Sequence, residues 1–480
     1  MNPLKKLAGQ TMIYGLGTIV PRVLNYLLLT PFFTYIFWQN EYGVFSELYA
    51  YVAIFLVVLT FGMETTYFRF AVSEPNKNKV FTTALGSVLS TSLLFFIVIL
   101  LFADPVASLM SYPGQGNFII WIAAIVATDA IVSIPFAKLR QENKAMKFAA
   151  IKFLSVVVNI ALNAYFYYEK WSASDPHSVQ ISVEYIFIAN FISSAFTLVC
   201  LLPEFVKMKP EFDFVLLKKM LSYTFPLLIV GASGMINEHG DKIMLKYLVD
   251  DSEDQLKQLG IYSANYRLAV LMTIFTQMFR YAAEPFFFAQ SKEKDSKETY
   301  AKVLKYFVIF GLIIFLGVML YIDIVKYFIG SLFHEGLDIV PVILLANLFF
   351  GIFYNLSLWY KLANLTKYGA VIAIIGAVVT ILLNIVLVPE FGYRGAAWAT
   401  IACYFLMTAI SYFWGQKHFP VKYDFISIGF YFAVALGLYF GSTLIEIDSM
   451  TVSLIVNTLL FGVFFAVVFY KEKLYRYLKR

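Results

Sequence analysis

The run Thr91-Ser-Leu-Leu-Phe-Phe-Ile-Val-Ile-Leu-Leu-Phe102 carries no charge and is apolar on every side. A barrel strand would alternate lipid-facing and lumen-facing residues in ten-residue segments, so this run reads instead as a helix immersed in hydrocarbon. Extended to 81–103, it reaches the roughly 20 residues an α-helix needs to cross about 30 Å of lipid core. Segments of the same kind recur at 10–37, 44–71, 118–137, 148–168, 183–206, 220–249, 259–289, 303–329, 339–360, 369–388, 396–414, 425–445 and 451–470. The chain is therefore expected to be an all-α polytopic membrane protein with about 14 transmembrane helices.

Composition agrees with that reading. Of 480 residues, 60% are hydrophobic and only 14% charged, too few to clothe a water-soluble surface. The first apolar run is too long for a signal-peptide core and has no small-residue cleavage site, so it is expected to remain as the first span. The short connections leave no room for a soluble catalytic domain.

An even number of spans puts both termini on one side. With that topology 26 basic residues lie on the side of the termini and 3 on the other. The rich side runs from Lys5 and Lys6 through Lys138, Arg140, Lys144 and Lys147, then Lys207, Lys292 and Lys294, to Arg476, Lys479 and Arg480; the poor side has Lys170, Lys257 and Arg394. Lysine and arginine are retained in the cytoplasm, so both termini are expected there. The net charge of +6 is then an orientation signal, and no nucleic-acid partner is expected. Cys200 and Cys403 fall in separate spans and the four histidines stand singly, so neither a metal site nor a catalytic group is expected.

Two spans repeat each other. Tyr42-Gly-Val-Phe-Ser-Glu-Leu-Tyr49 aligns with Leu259-Gly-Ile-Tyr-Ser-Ala-Asn-Tyr266 at a constant offset of 217, matching Gly43 with Gly260, Ser46 with Ser263 and Tyr49 with Tyr266; Phe70 matches Phe287. Six spans separate the copies, as in parallel repeats related by an axis along the membrane normal. The expected organisation is an N-terminal six-helix bundle over 1–206, a cytoplasmic linker at 207–219, a C-terminal six-helix bundle over 220–414, and two extra helices with a basic tail over 425–480.

That organisation, with Tyr14-Gly-Leu-Gly-Thr-Ile-Val-Pro-Arg22, Asn40-Glu-Tyr-Gly-Val-Phe-Ser-Glu-Leu-Tyr49 and the loop Pro389-Glu-Phe-Gly-Tyr-Arg-Gly-Ala-Ala-Trp398, resembles the polysaccharide biosynthesis flippases of the multidrug/oligosaccharidyl-lipid/polysaccharide exporter superfamily. The resemblance implies a transporter, not an enzyme, that carries an undecaprenyl-diphosphate-linked oligosaccharide from the cytoplasmic to the periplasmic leaflet by alternating access. The implied setting is surface polysaccharide synthesis, including lipopolysaccharide, beside other assembly proteins. Coupling to H+, Na+ or the membrane potential would supply the drive, since no ATP-binding loop is present.

Charges inside spans are costly, about 2.5–3.5 kcal/mol at the centre, and point to cavities or partners. Arg22, three residues before Asn25 on one helical face, would grip the diphosphate with its planar fork or form an ion pair with Glu64 or Asp129. The stripe Asn237, Glu238, Asp241 and Lys242 would be a cavity wall, with Lys242 on substrate and Glu238 or Asp241 coupling a cation, or a self-neutralised interhelical lock. Arg267, without an acid one turn away, would contact sugar or phosphate, whereas Arg280 has Glu284 one turn on. Glu64 would face the cavity or gate it, Arg69 would snorkel, and Asp323 with Lys326 would form an anchor pair. Tyr49, Tyr51 and Tyr266 could stack on sugar rings. The rivals are a cation-coupled multidrug exporter, which should lack a midplane arginine such as Arg22, and a peptidoglycan-precursor flippase. A membrane glycosyltransferase or polymerase would need catalytic carboxylates in a large outer loop.

Overall fold

Apolar runs of this length give the backbone no water to bond, so each must satisfy its own N–H and C=O groups as helix. The computed structural model describes residues 3–206, 209–250, 254–290, 295–363, 365–445 and 449–473, and among them there is no strand. Lys207, Lys292, Lys294, Arg476, Lys479 and Arg480 lie outside the described residues, as do the side chains of Lys5, Lys6 and Glu284.

The helices are α1 (Pro3–Ile36), α2 (Gln39–Thr60), α3 (Met63–Ser73), α4 (Lys77–Leu101), α5 (Ala103–Leu109), α6 (Gly116–Gln141), α7 (Ala145–Phe166), α8 (Tyr168–Ser172), α9 (Glu184–Val206), α10 (Phe214–Leu248), α11 (Gln255–Leu268), α12 (Val270–Gln290), α13 (Ser296–Met319), α14 (Ile322–Val325), α15 (Val340–Leu356), α16 (Leu358–Leu362), α17 (Lys367–His418), α18 (Phe425–Thr443) and α19 (Met450–Lys471). Among the described residues, 12 helical segments are long and apolar enough to cross a membrane. The protein is a multi-pass membrane protein. The longest segment, α17, is two helices run together across Gly392, and α11 with α12 stands where the eighth span is predicted.

Two spans and one loop differ in detail from their sequence reading. The predicted span 44–71 is broken at Phe61 and Gly62, both left-handed with φ of 35° and 72°, and a Cβ on Gly62 would press to 3.0 Å from Leu227 of α10. Glycine is favoured there by both the backbone and its neighbour. The predicted span 259–289 is two helices meeting at Ala269. The expected loop at Pro389–Trp398 shrinks to a reversal at Gly392 (φ 55°, ψ −135°), pinned by Arg394 on Asp338 and by the Tyr393 hydroxyl donating to the Glu335 carbonyl.

The chain divides into two compact units, Met1–Gly260 and Ile261–Arg480. In the first, α6 is the central helix, packed against α2, α3, α4, α5, α7 and α9 and buried along most of its length. In the second, α15 has that role, packed against α12, α13 and α17. Its residue Phe353 clusters with Ile372, Cys403, Tyr404 and Met407 of α17.

Candidate transport and gating sites

The first unit has a lysine-rich end, where α3 stops, α4 and α10 begin and α6 stops, and a lysine-poor end, where α2 begins and α10 stops. Ionisable side chains collect at three levels between them.

At the middle level stands Arg22, 19 residues after the start of α1 and 14 before its end, exposed together with Asn25 on one face. Lys152 of α7 lies within electrostatic reach of Arg22, of Asp129 and Arg140 on α6, and of Glu64 on α3. Asp129 is hydrogen-bonded to the Ser194 hydroxyl of α9, and Lys152 covers the Phe136 ring at 4.4 Å. Glu64 forms an ion pair with Arg140, whose guanidinium lies over Phe68 at 5.0 Å. Arg140 is thus no plain loop charge. The group holds three cations, Arg22, Lys152 and Arg140, against two carboxylates, Asp129 and Glu64. Arg69 is exposed and lies over Tyr223 at 4.2 Å.

The lysine-poor end contains a site that the charge reading passed over. Glu47 of α2 is 0% exposed and Lys246 of α10 is 1% exposed. The Lys246 ammonium donates to Glu47 Oε2 at 2.8 Å and to the Met110 carbonyl at 2.6 Å, with the Tyr112 ring 3.8 Å away. The Tyr112 hydroxyl donates to the same carboxylate oxygen. Tyr247 donates to Glu47 Oε1 at 3.4 Å, and Tyr51 donates to Tyr247 at 3.3 Å. Burial, then the adjacent carboxylate, pushes the Tyr112 phenol far above its usual range, so it stays a donor. One buried pair thereby ties α2, α10 and the turn after α5 together. Glu47 sits within the Asn40–Tyr49 stretch itself, and a carboxylate two turns into an apolar helix, beyond the capping Glu41, is the signal that could have found it.

Close to it, a Cβ on Gly43 would overlap the Leu256 carbonyl, and a Cβ on Gly260 would overlap the Gln39 carbonyl. All four residues belong to the first unit. Leu256 and Gln39 are themselves 217 apart, so the repeat's two glycines make reciprocal contacts.

The α10 stripe has its own arrangement. Asp241 is 2% exposed and accepts from the Lys242 backbone N–H at 2.8 Å, while the Lys242 ammonium donates to the Glu238 carbonyl at 3.3 Å and lies 3.9 Å from Asp241. Asn237 is buried and Glu238 half-buried. At the lysine-rich end Glu204 of α9 is held by Lys147 at 2.7 Å and Lys138 at 3.1 Å. Asp213 caps α10, and the Lys79 ammonium, with the N–H groups of Leu216 and Val215, holds its carboxyl at about 2.

In the second unit Arg267 is half-buried on α11, and Arg280 is exposed over Tyr354 at 5.0 Å. Lys326 and Asp323 pair at 2.7 Å. The tyrosines considered for sugars are engaged in packing: Tyr49 with Asn190 and Phe45, Tyr51 with Tyr247, and Tyr266 with Asn347. Among the described residues no group of His, Cys, Asp and Glu is arranged to hold a metal.

Residues 7–291 match the family described as polysaccharide biosynthesis protein. An uncharacterised membrane protein of Methanocaldococcus jannaschii is 23% identical over 465 residues, covering 87% of this chain and 86% of its own. The lipid II flippase MurJ, in an inward closed conformation, superposes with TM-score 0.70 at 14% identity, over 98% of this chain and 100% of its own. An inward-facing multidrug resistance MATE transporter of the MOP superfamily gives 0.65 at 15% identity, over 85% and 94%. At such identities the likeness is one of fold.

Proposed function

Because the chain belongs to the polysaccharide biosynthesis protein family, we propose that it carries an undecaprenyl-diphosphate-linked oligosaccharide from the cytoplasmic to the periplasmic leaflet of a bacterial inner membrane. The observation that carries this reading is the middle group of unit 1, where three cations face two carboxylates and Arg22 is exposed. A diphosphate is an anion that a guanidinium fork grips bidentately, and the surplus positive charge offsets the cost of bringing it into the membrane.

The lysine-rich end then faces the cytoplasm with both termini. Asn25, and Lys242 and Arg267 further along the chain, are the other substrate contacts in this reading, and the isoprenoid tail stays in lipid. Glu64, Glu238 and Asp241 are the carboxylates at which H+ or Na+ would couple, unless the membrane potential alone drives release. Assembly proteins that use the flipped glycan are the expected partners.

The test is complementation. A strain lacking this protein should regain its surface polysaccharide with the wild type and not with Arg22→Ala present at equal membrane abundance. Arg22→Lys, which keeps the charge and loses the fork, should restore only part. Intact surface glycans after deletion, with raised sensitivity to cationic drugs, would replace this reading by a multidrug exporter.

A further inference from the structure

Between the end of α3, the start of α4 and the end of α6, at the lysine-rich end of unit 1, lies a cavity of about 490 Å³. That volume is within the range of small-ligand sites, roughly 300–1,000 Å³. Tyr67 and Phe81 supply aromatic wall; Lys77, Lys138, Gln141 and Glu142 supply polar lining.

Most polar groups around it are committed. Lys138 lies over Phe81 at 4.5 Å and reaches Glu204, which Lys147 also holds; Glu142 is paired with Lys144. Asn78, also on the wall, is spent on the segment after α9, donating to the Lys209 carbonyl at 2.8 Å. Two groups are left over. Among the described residues Lys77 has no ion-pair partner and the Gln141 amide no hydrogen-bond partner.

The charges of the lining do not cancel. Lys77 and Lys138 stand against Glu142, one net positive charge on the wall, while Lys138 is shared with Glu204 and Glu142 with Lys144. Lys77 and Asn78 are also the first residues of the 25-residue α4, where backbone N–H groups point outward and the helix dipole is positive. An ammonium, an amide and a helix N-terminus bordering a half-open cavity at a span's end suit a tetrahedral oxyanion. Cation-rich pockets between helices at a membrane face are where phosphate headgroups lodge.

We propose that this cavity binds a phosphate-bearing group, with Lys77 and Gln141 as its direct ligands and Lys138 as the charge behind them. It is separate from the Arg22 group and does not depend on what the protein transports.

The test uses the full chain in detergent, probed by thermal stability and native mass spectrometry. The probes are phosphatidylglycerol, phosphatidylcholine, inorganic phosphate and glycerol phosphate. The expected result is retention of one tightly held phosphatidylglycerol, weakened about fivefold by Lys77→Ala, as one lysine near an anionic surface contributes. Gln141→Leu should weaken it too, whereas Lys422→Ala, an exposed lysine elsewhere in the chain, should not. Stabilisation by glycerol phosphate or inorganic phosphate alone, still lost in Lys77→Ala, would support the same site with a soluble occupant. Equal losses in Lys77→Ala and Lys422→Ala would mean diffuse attraction and overturn the proposal, as would no binding of any probe by the wild type. Lys77 and Gln141 are on the rim, so both variants are expected to fold; one that does not reach wild-type abundance is replaced by Lys77→Gln.

Discussion

In the first unit Glu47, Lys170, Glu204, Asp241 and Lys246 are all buried, whereas among the described residues of the second unit the buried polar side chains are neutral, Asn265, Asn347 and Asn384 among them. The two halves of the sequence nonetheless share a repeat, whose second copy begins at the last residues of unit 1 and continues into unit 2. Gly43 and Gly260 retain the same close approach to a backbone carbonyl, while Glu47 has become Ala264, or the reverse, at the matching position. Packing tolerates little change at a helix crossing, since any Cβ collides; a buried charge survives only where a partner survives with it. The repeat therefore kept its steric skeleton and diverged in its electrostatics. Unit 2 keeps an ion pair of Lys305 with Glu472 at 2.7 Å, with the Tyr431 hydroxyl donating to the same carboxylate, but at the position matching Glu47 it has only Ala264.

The largest test of that contrast is to strand one partner. Lys246→Met leaves Glu47 buried without its cation and should cost about 3–5 kcal/mol, read as a lowered unfolding temperature in detergent. Adding Glu47→Leu should recover most of the loss, because two apolar groups replace a pair. Ala264→Glu, which copies the carboxylate into the second unit at a residue 0% exposed, should destabilise on the same scale. Tolerance of Ala264→Glu would reveal a cation able to reach it and would end the contrast.

Gly43→Ala and Gly260→Ala sharpen the other half of the comparison. Each should cost about 1–3 kcal/mol by overpacking, and the two losses should be alike. A large loss at one and none at the other would show that the repeat's contacts are no longer equivalent.

The smallest effect concerns Asp213. Its carboxyl is held at about 2, below an ordinary 3.8, so its contribution is fully present above about pH 4 and is lost as pH falls through 2. Asp213→Asn keeps the helix cap and drops the ion pair with Lys79. The variant should be slightly less stable at pH 7, the difference shrinking with salt and closing near pH 2.

The order of the spans was legible because hydrocarbon imposes length and apolarity on each helix separately. The break at Phe61–Gly62 was not, since glycine inside an apolar run fits a straight helix as well as a kinked one, and only the approach of Leu227 decides. Arg22 stood out as an arginine far from either helix end. Its neighbours did not: Lys152 and Asp129 come from other helices, and rotation about a helix axis leaves no mark in a single sequence. Glu47 and Lys246 are 199 residues apart, and nothing local to either names the other. Arg140 reads as a loop charge because its position is terminal, yet its long side chain reaches back to Glu64.

The charge surplus of the middle group also has an electrical meaning. Moving one elementary charge through the full field takes about 2.3 kcal/mol per 100 mV. The Glu47–Lys246 pair is neutral and can shift as a unit with no such work. The Arg22 group, at plus one when empty, would become net negative if it held the doubly charged diphosphate of the proposed substrate. On that proposal, a membrane voltage that opposes movement of the empty group in one direction would assist movement of the loaded group in the same direction.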